Sequence, residues 1–309
     1  MSRTLILGAA LGYSAEAIRP FLSSLHATSY AGDVALLVYA DDHRMRRSAS
    51  LGFQALPVPH RRPWQAFLAR VLRVALRRAR ALPLGSTALR ALPLRAALRR
   101  RLDQWSACLV HEPAGVRYVH YETHLRAVRY DRVILSDVRD VVFQSDPSGI
   151  EPDARLVCFL ESARYTIGTE PKNSRWMTEL YGQATLERLA DRRVSCSGVT
   201  IGSHDAMLDY VVALNDEMAR VIGRVWDSGY DQGVHNQLLW SGAFPHARVM
   251  ENGRGVFTVG QEPRDALALD ASGRVCCGDG SVPAMVHQYD RHQDVADALR
   301  ARHGVREAA

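Results

Sequence analysis

The chain predicts an α/β fold, a mostly parallel Rossmann-like central sheet flanked by helices. Three observations carry this. Apolar runs of strand length recur at Thr4–Ala9, Val34–Tyr39, Phe53–Val58 and Val133–Leu135. Helix-forming stretches separate the early runs, which is the strand-helix-strand opening of a parallel sheet. Several runs end in small or acidic residues, at Gly12-Tyr13, Asp41-Asp42 and Asp137 to Asp140. Ligands of such sheets gather beyond the carboxyl ends of the strands.

Thr4–Ala9 superficially suggests a secretory leader, but its apolar run is short and leads straight into a strand-turn-helix pattern, so it reads as the first strand. After Gly8, Ala10 stands where a GxGxxG fingerprint needs its second glycine, so no dinucleotide site is expected. Ser14 is the expected N-cap of the helix AEAIRPFLSSL, with Pro20 as a break or kink. Pro57 and Pro59 close the third strand. Pro113 to Val128 reads as the long helix that feeds the central strand Val133–Leu135. The next strand, Arg155–Leu160, ends at Glu161, and Asn173 is the expected N-cap of SRWMTELYG. The small residues of Val194 to Ser203 let backbone approach a ligand closely. Ser203 then caps a periodic helix through Met207, Leu208, Val211, Val212, Met218, Val221 and Ile222, stopping at Gly223. Asp231 and Gln232 fall near the start of another helix, and a basic amphipathic helix follows His292.

With 309 residues, 47% apolar and 23% charged, the chain has the composition of a soluble globular protein that buries a substantial core. Its five cysteines match neither a disulfide framework nor a zinc site and are expected reduced. No apolar stretch has bilayer-spanning length, and a cytoplasmic protein is expected. The net charge of +6 hides an asymmetry. Twelve arginines and no acidic residue lie between Arg61 and Leu102, leaving 27 basic against 33 acidic residues elsewhere. Trp64, Phe67, Leu68, Val71, Leu72, Ala75 and Leu76 recur at helical spacing, RALPL occurs at Arg80–Leu84 and again at Arg90–Leu94, and a second basic helix is expected over Thr87 to Leu102. A basic helical hairpin inserted at 61–104 is the expectation. It either packs its apolar stripe on the sheet, covers an acidic substrate, or lies through 61–102 on an anionic membrane at the cytoplasmic face. Too few aromatics accompany the arginines for nucleic acid to be expected.

The central feature is YDRVILSDVRDVVFQSDP, Tyr130 to Pro147, in which a buried strand ends in two carboxylates three residues apart. Such groups are costly to desolvate unless a cation meets them. Either Asp137 and Asp140 cap a turn or pair with Arg139 and Arg132, or they hold a hard divalent ion that carries phosphate oxygens.

The motifs SDVRDVVFQSDP, then SGVTIGS, then DQGVHNQLL, then VHQYDRH, in that order, resemble those of GT-A-type glycosyltransferases of the nucleotide-diphospho-sugar transferase superfamily. The resemblance covers most of the chain apart from the arginine-rich stretch. It departs from the family in having Asp137-x-x-Asp140 instead of DxD, and Cys196 where Asn often precedes the SG pair. The resemblance implies a GT-A-like transferase domain over residues 1–275 and a C-terminal extension, 276–309, that completes the site. It implies Mn²⁺ or Mg²⁺ held by Asp137, Asp140 and His287, and neutral imidazole suits Mn²⁺ better than Mg²⁺. It implies contacts of Gly12, Tyr13, Asp41, Ser197, Gly198 and Arg291 with a UDP- or GDP-sugar donor. Asp231, either a helix cap or the group that meets the reacting sugar or acceptor hydroxyl, is with Gln232 the candidate catalytic pair. The acceptor is expected to be a glycan or a lipid-linked hydroxyl. The residues alone also admit a metal-dependent phosphohydrolase or a membrane-surface adaptor without enzymatic activity.

Overall fold

A computed structural model describes residues 3–47, 52–60, 64, 67, 68, 71, 113–221, 224 and 229–303. In chain order its elements are β1 (Thr4–Ala9), α1 (Arg19–His26), β2 (Asp33–Tyr39), α2 (His43–Arg47), β3 (Gln54–Val58), α3 (Pro113–Ala127), β4 (Arg132–Ser136) and β5 (Val141–Phe143). They continue with β6 (Leu156–Leu160), α4 (Pro171–Tyr181), α5 (Gln183–Leu189), β7 (Ser195–Ser203), α6 (His204–Arg220), α7 (Asp231–Trp240) and β8 (Ala247–Met250). The last are β9 (Val256–Thr258), β10 (Ala268–Leu269), β11 (Val275–Cys276), β12 (Met285–His287) and α8 (Gln293–Arg302).

The central sheet has the order β3-β2-β1-β4-β7-β6-β8. Only β7 is antiparallel to its neighbours, so the sheet is mixed and mostly parallel. Its strands are apolar on both faces, as a helix-covered sheet requires. Leu5, Leu7, Val133 and Leu135 face one core with Tyr118 and Tyr121 of α3, Met207 and Leu214 of α6 and Val234 of α7. Ile6, Leu36 and Ile134 face the other with Phe21, Leu22 and Leu25 of α1. A second sheet, β5-β12-β9, sits over this side, with Phe21 edge-on to Phe143 at 5.0 Å and the Ser24 Oγ accepting from the Phe143 N–H at 3.0 Å. The tail helix α8 adds Val295, Ala296 and Leu299 to Val142, Phe257 and Val286 of that sheet.

Several local expectations are corrected. The first helix starts at Arg19 rather than after Ser14, because Pro20 sits in its first turn and cannot lie deeper in a helix. Ser14 still accepts from the Ala17 N–H, at 3.2 Å, but caps only a turn. Strand β3 ends at Val58 as expected and holds Pro57 within it, since it is an edge strand where a missing N–H is tolerated, but it starts at Gln54, one residue after the expected Phe53. The cap of α4 is Glu170 and not Asn173. Pro171 fixes the first helical residue, and the Glu170 carboxylate accepts from both the Asn173 N–H and Nδ2 at 2.7 Å. Helix α6 ends at Arg220, before the expected stop, while Ser203 caps its start as expected. The basic hairpin at 61–104 lies outside the described residues except for Trp64, Phe67, Leu68 and Val71, which are helical, with Trp64, Phe67 and Val71 exposed. Among the described residues no helix is long and apolar enough to cross a membrane, and Cys158, Cys196, Cys276 and Cys277 are free thiols.

Between α6, α7 and the sheet runs a buried polar chain. Thr200 Oγ1 donates to the Tyr210 hydroxyl (3.4 Å), which bonds His235 Nδ1 (2.9 Å); His235 Nε2 bonds Ser195 Oγ (2.9 Å), and Ser195 donates to the Phe159 carbonyl (3.1 Å). This donor order needs a neutral imidazole protonated on Nε2. Burial lowers the His235 pKa from 6.5 to about 4. The unfolded chain therefore binds the extra proton first, so stability is full above about pH 6.5 and is lost as pH falls toward 4, by up to about 3 kcal/mol. Urea unfolding of the protein and of His235→Gln at pH 7.5 and 4.5 checks this. The variant should lose less on acidification, and an equal loss in both would refute the assignment.

Candidate metal centre and cleft

Strand β4 ends at Ser136, and its ladder with β7 continues one step further, through the Asp137 N–H donating to the Gly198 carbonyl at 2.7 Å. The sheet places β2 and β3 on one side of β1 and β4 on the other, so the strand order reverses between β1 and β4. Asp137 thus stands at the topological switch point, where open α/β sheets bind ligands. The β6–β7 register jumps from Cys158 opposite Thr200 to Phe159 opposite Cys196, a bulge that pushes Ser197 and Gly198 out of the ladder toward Asp137.

The second sheet supplies the rest. In the β5–β12 pairing His287 lies opposite Val141, the residue after Asp140, and the Gln288 N–H donates to the Asp140 carbonyl at 2.8 Å. Asp137, Asp140 and His287 thereby converge, each offering one ligand atom, with these atoms within 4.8 Å of one another. Asp140 and His287 are buried and Asp137 is half-buried.

The residues fit a divalent cation. His287 Nδ1 is within 3.3 Å of both Thr258 Oγ1 and Cys196 Sγ, which orient the ring, while Nε2 is buried without a hydrogen bond, 3.5 Å from Asp137 Oδ2. A ring held at one nitrogen with the other aimed at carboxylates is how a histidine ligand is presented. Gly198 leaves the space open: a Cβ there would stand 2.7 Å from His287 Nε2 and 2.8 Å from Asp137 Oδ2. The charges agree. Burial pushes the Asp140 carboxyl up, the attraction of His287 does not cancel this, and the nearby Asp137 carboxylate adds to it. Burial also pushes Asp137 up, but Arg117 and His287 outweigh it and hold it well below the usual range. Burial alone would lower His287, yet Cys196, Asp137 and Asp140 raise it far above the ordinary imidazole value. A site that draws a proton this strongly in its acid-histidine cluster also attracts a cation.

Of the two pairings the sequence allowed for these aspartates, Arg139 makes one, with Nη2 3.5 Å from Asp140 Oδ2 and Nη1 2.7 Å from Asp290 Oδ2. Arg132 makes none with either aspartate and instead donates to the carbonyls of Ile150, Glu151, Pro152 and Ala154. Arg117, on α3, bridges Asp137 through Nη1 and Asp231 through Nη2 at 2.8 Å, and the Tyr118 hydroxyl adds a bond to Asp231 at 3.2 Å. Asp231 is therefore not a helix cap. The cap position of α7 is Tyr230, and Asp231 turns inward.

A cleft of about 960 Å³ opens over this centre. Tyr13, Asp137, Asp140, Ser197, Gly198, Asp231, Gln232, His287 and Arg291, all singled out from the sequence, line it. Gly12 and Asp41 do not. Gly12 provides a left-handed turn at φ +81° beside Tyr39, and Asp41 is exposed and paired with His60 at 2.9 Å. Arg117, Glu161 and Trp176, which no expected site role covered, also line the cleft. Glu161 carried the same signal as Asp137, an acid just past a buried strand; Arg117 and Trp176 sit in helices without any motif. No protein-family model matches this chain, and no curated protein matches it.

Proposed function

We propose that the chain is a metal-dependent glycosyltransferase that moves a sugar from a UDP- or GDP-sugar to a hydroxyl of a glycan or lipid-linked acceptor. The observation that carries this is the Asp137-Asp140-His287 cluster at the switch point, with an unbonded His287 Nε2 facing carboxylates across a gap kept open by Gly198. Asp137, Asp140 and His287 are the residues that would hold the ion. A divalent cation bound there, Mn²⁺ by preference for imidazole, supplies the positive charge that a departing diphosphate needs. Arg139 and Arg291 flank Asp290 at the same rim and are suited to meet phosphate oxygens. Arg117 pairs with Asp137 and Asp231 together, and beside it and His287 the Asp137 carboxyl is held well below the usual carboxylate range. Gln232 and Ser197 offer neutral hydrogen bonds to sugar hydroxyls, and Gly198 lets backbone approach the ligand.

Thermal shift with UDP, GDP and their hexose conjugates, with and without Mn²⁺, tests the reading. A ligand at about 100 times its Kd adds about 2.7 kcal/mol to stability. The expected result is a rise in midpoint with nucleotide and metal together that is absent in Asp140→Ala. Shifts that are equal without metal, or that inorganic pyrophosphate reproduces in full, would defeat the nucleotide-sugar assignment.

A further inference from the structure

Strand β12 ends at His287, and the next residue, Gln288, turns the chain in the left-handed region, at φ +59° and ψ +32°. Its N–H donates to the Asp140 carbonyl at 2.8 Å and its carbonyl accepts from the Arg291 N–H at 3.2 Å, so the backbone is held in that turn. Glycine takes this conformation freely, whereas a residue with a Cβ takes it at a cost. Glu151 is the only other described residue besides glycine with a positive φ, and its carboxylate is paired with Arg248. Gln288 has no such anchor. Its side-chain amide makes no hydrogen bond among the described residues. It lines the cleft with Asp140, His287 and Arg291 and lies against Gly260, where a Cβ would overlap Gln288 Oε1 and stand 3.0 Å from Gln288 Cβ and Cδ. Strain kept in a cleft by a residue whose side chain serves no protein partner points to a ligand.

We propose that the Gln288 amide donates a hydrogen bond to the diphosphate of the bound nucleotide and so fixes the leaving group over the metal centre. This inference rests on the transferase reading and assigns a residue within it. In the chain Gln288 falls between His287, which would hold the ion, and Asp290-Arg291 at the rim suited to phosphate. The two arginines there share their charge with Asp290, Arg139 at 2.7 Å and Arg291 at 3.8 Å. A neutral NH₂ group adds a directed donor without changing the charge of the site, and a phosphate oxygen makes the bond a charge-assisted one. Gly260 has a matching part, because the absence of a side chain there leaves the room in which the amide lies.

The test uses the full chain and calorimetric titration of UDP, GDP and their hexose conjugates in saturating Mn²⁺. Gln288→Gly keeps the turn and its N–H but removes the amide. Gly260→Ala, at a position without a left-handed φ, keeps the amide and pushes it aside. Both variants should bind whichever of UDP and GDP the wild type binds about 10–100-fold more weakly, the worth of a hydrogen bond to a charged group, and should bind its hexose conjugate more weakly by the same factor. Titration of Mn²⁺ alone should give wild-type affinity in both, and the unliganded urea midpoint of Gln288→Gly should not fall, since glycine relieves the turn. Wild-type nucleotide affinity in Gln288→Gly would overturn the assignment. A loss confined to the hexose conjugates would overturn it too, by placing the amide on the sugar. Weaker Mn²⁺ binding or a lower midpoint in Gln288→Gly would do the same, by showing a structural role. If the wild type shows no metal-dependent nucleotide binding, the transferase reading itself falls, a result separable from the others.

Discussion

Replacing Arg117 by methionine is expected to destabilise the protein by about 3–5 kcal/mol, the usual consequence of stripping the partner from a buried charge. The guanidinium is almost fully enclosed and touches two carboxylates at once, Asp137 at the end of β4 and Asp231 at the start of α7. Removing it leaves Asp231, itself buried, with only the Tyr118 hydroxyl among the described residues, and leaves Asp137, beside Asp140, to His287 at 3.5 Å. Lysine keeps the charge but not the fork that reaches both acids, so Arg117→Lys should recover only part of the loss. The decisive comparison is the pair Arg117→Met with Asp231→Leu. If the loss comes from an uncompensated charge, the double variant will be more stable than Arg117→Met alone. Urea midpoints measure this, and a strictly additive pair would show that the bridge does not hold these elements.

A methyl group at Gly198 should cost at least 10–100-fold in Mn²⁺ affinity with the fold intact. The backbone there has no left-handed φ, so alanine is conformationally acceptable; only the space is missing. The added Cβ would meet His287 Cε1 at 2.5 Å and Asp137 Oδ2 at 2.8 Å. His287 cannot yield, because Thr258 and Cys196 hold its other nitrogen and the ring is buried. The methyl group must therefore displace a ligand. Calorimetric titration of Mn²⁺ reads the effect, and Gly149→Ala, where nothing lies within 4 Å, is the matched control. Equal affinity in Gly198→Ala and the wild type would remove the cluster from consideration as a metal centre.

The elements were legible in proportion to how local their causes are. Apolar runs named β1, β2, β4 and β6, and Ser203 named the start of α6, because strand burial and side-chain capping act within a few residues. Prolines moved others: Pro20 delayed α1, and Pro171 brought the start of α4 forward from Asn173. These outcomes depend on what lies beside the proline, and that is decided by the sheet. At the site, acids after buried strands were readable as residue types. The partner of Asp231 was not, because Arg117 arrives from a helix whose sequence carries no motif for it.

The sequence by itself determined that carboxylates end a buried strand, that a late histidine follows an apolar run, and that the chain alternates strands with helices. Hydrophobic period and residue chemistry are properties of short stretches, so they survive without coordinates. Only the tertiary structure decided that His287 meets Asp140, because that meeting is made by β12 pairing with β5, and the register of two distant strands is set by the shared cores they bury. It likewise decided that Asp137 and Asp231 share Arg117, since burial and charge partnership are properties of the packed molecule.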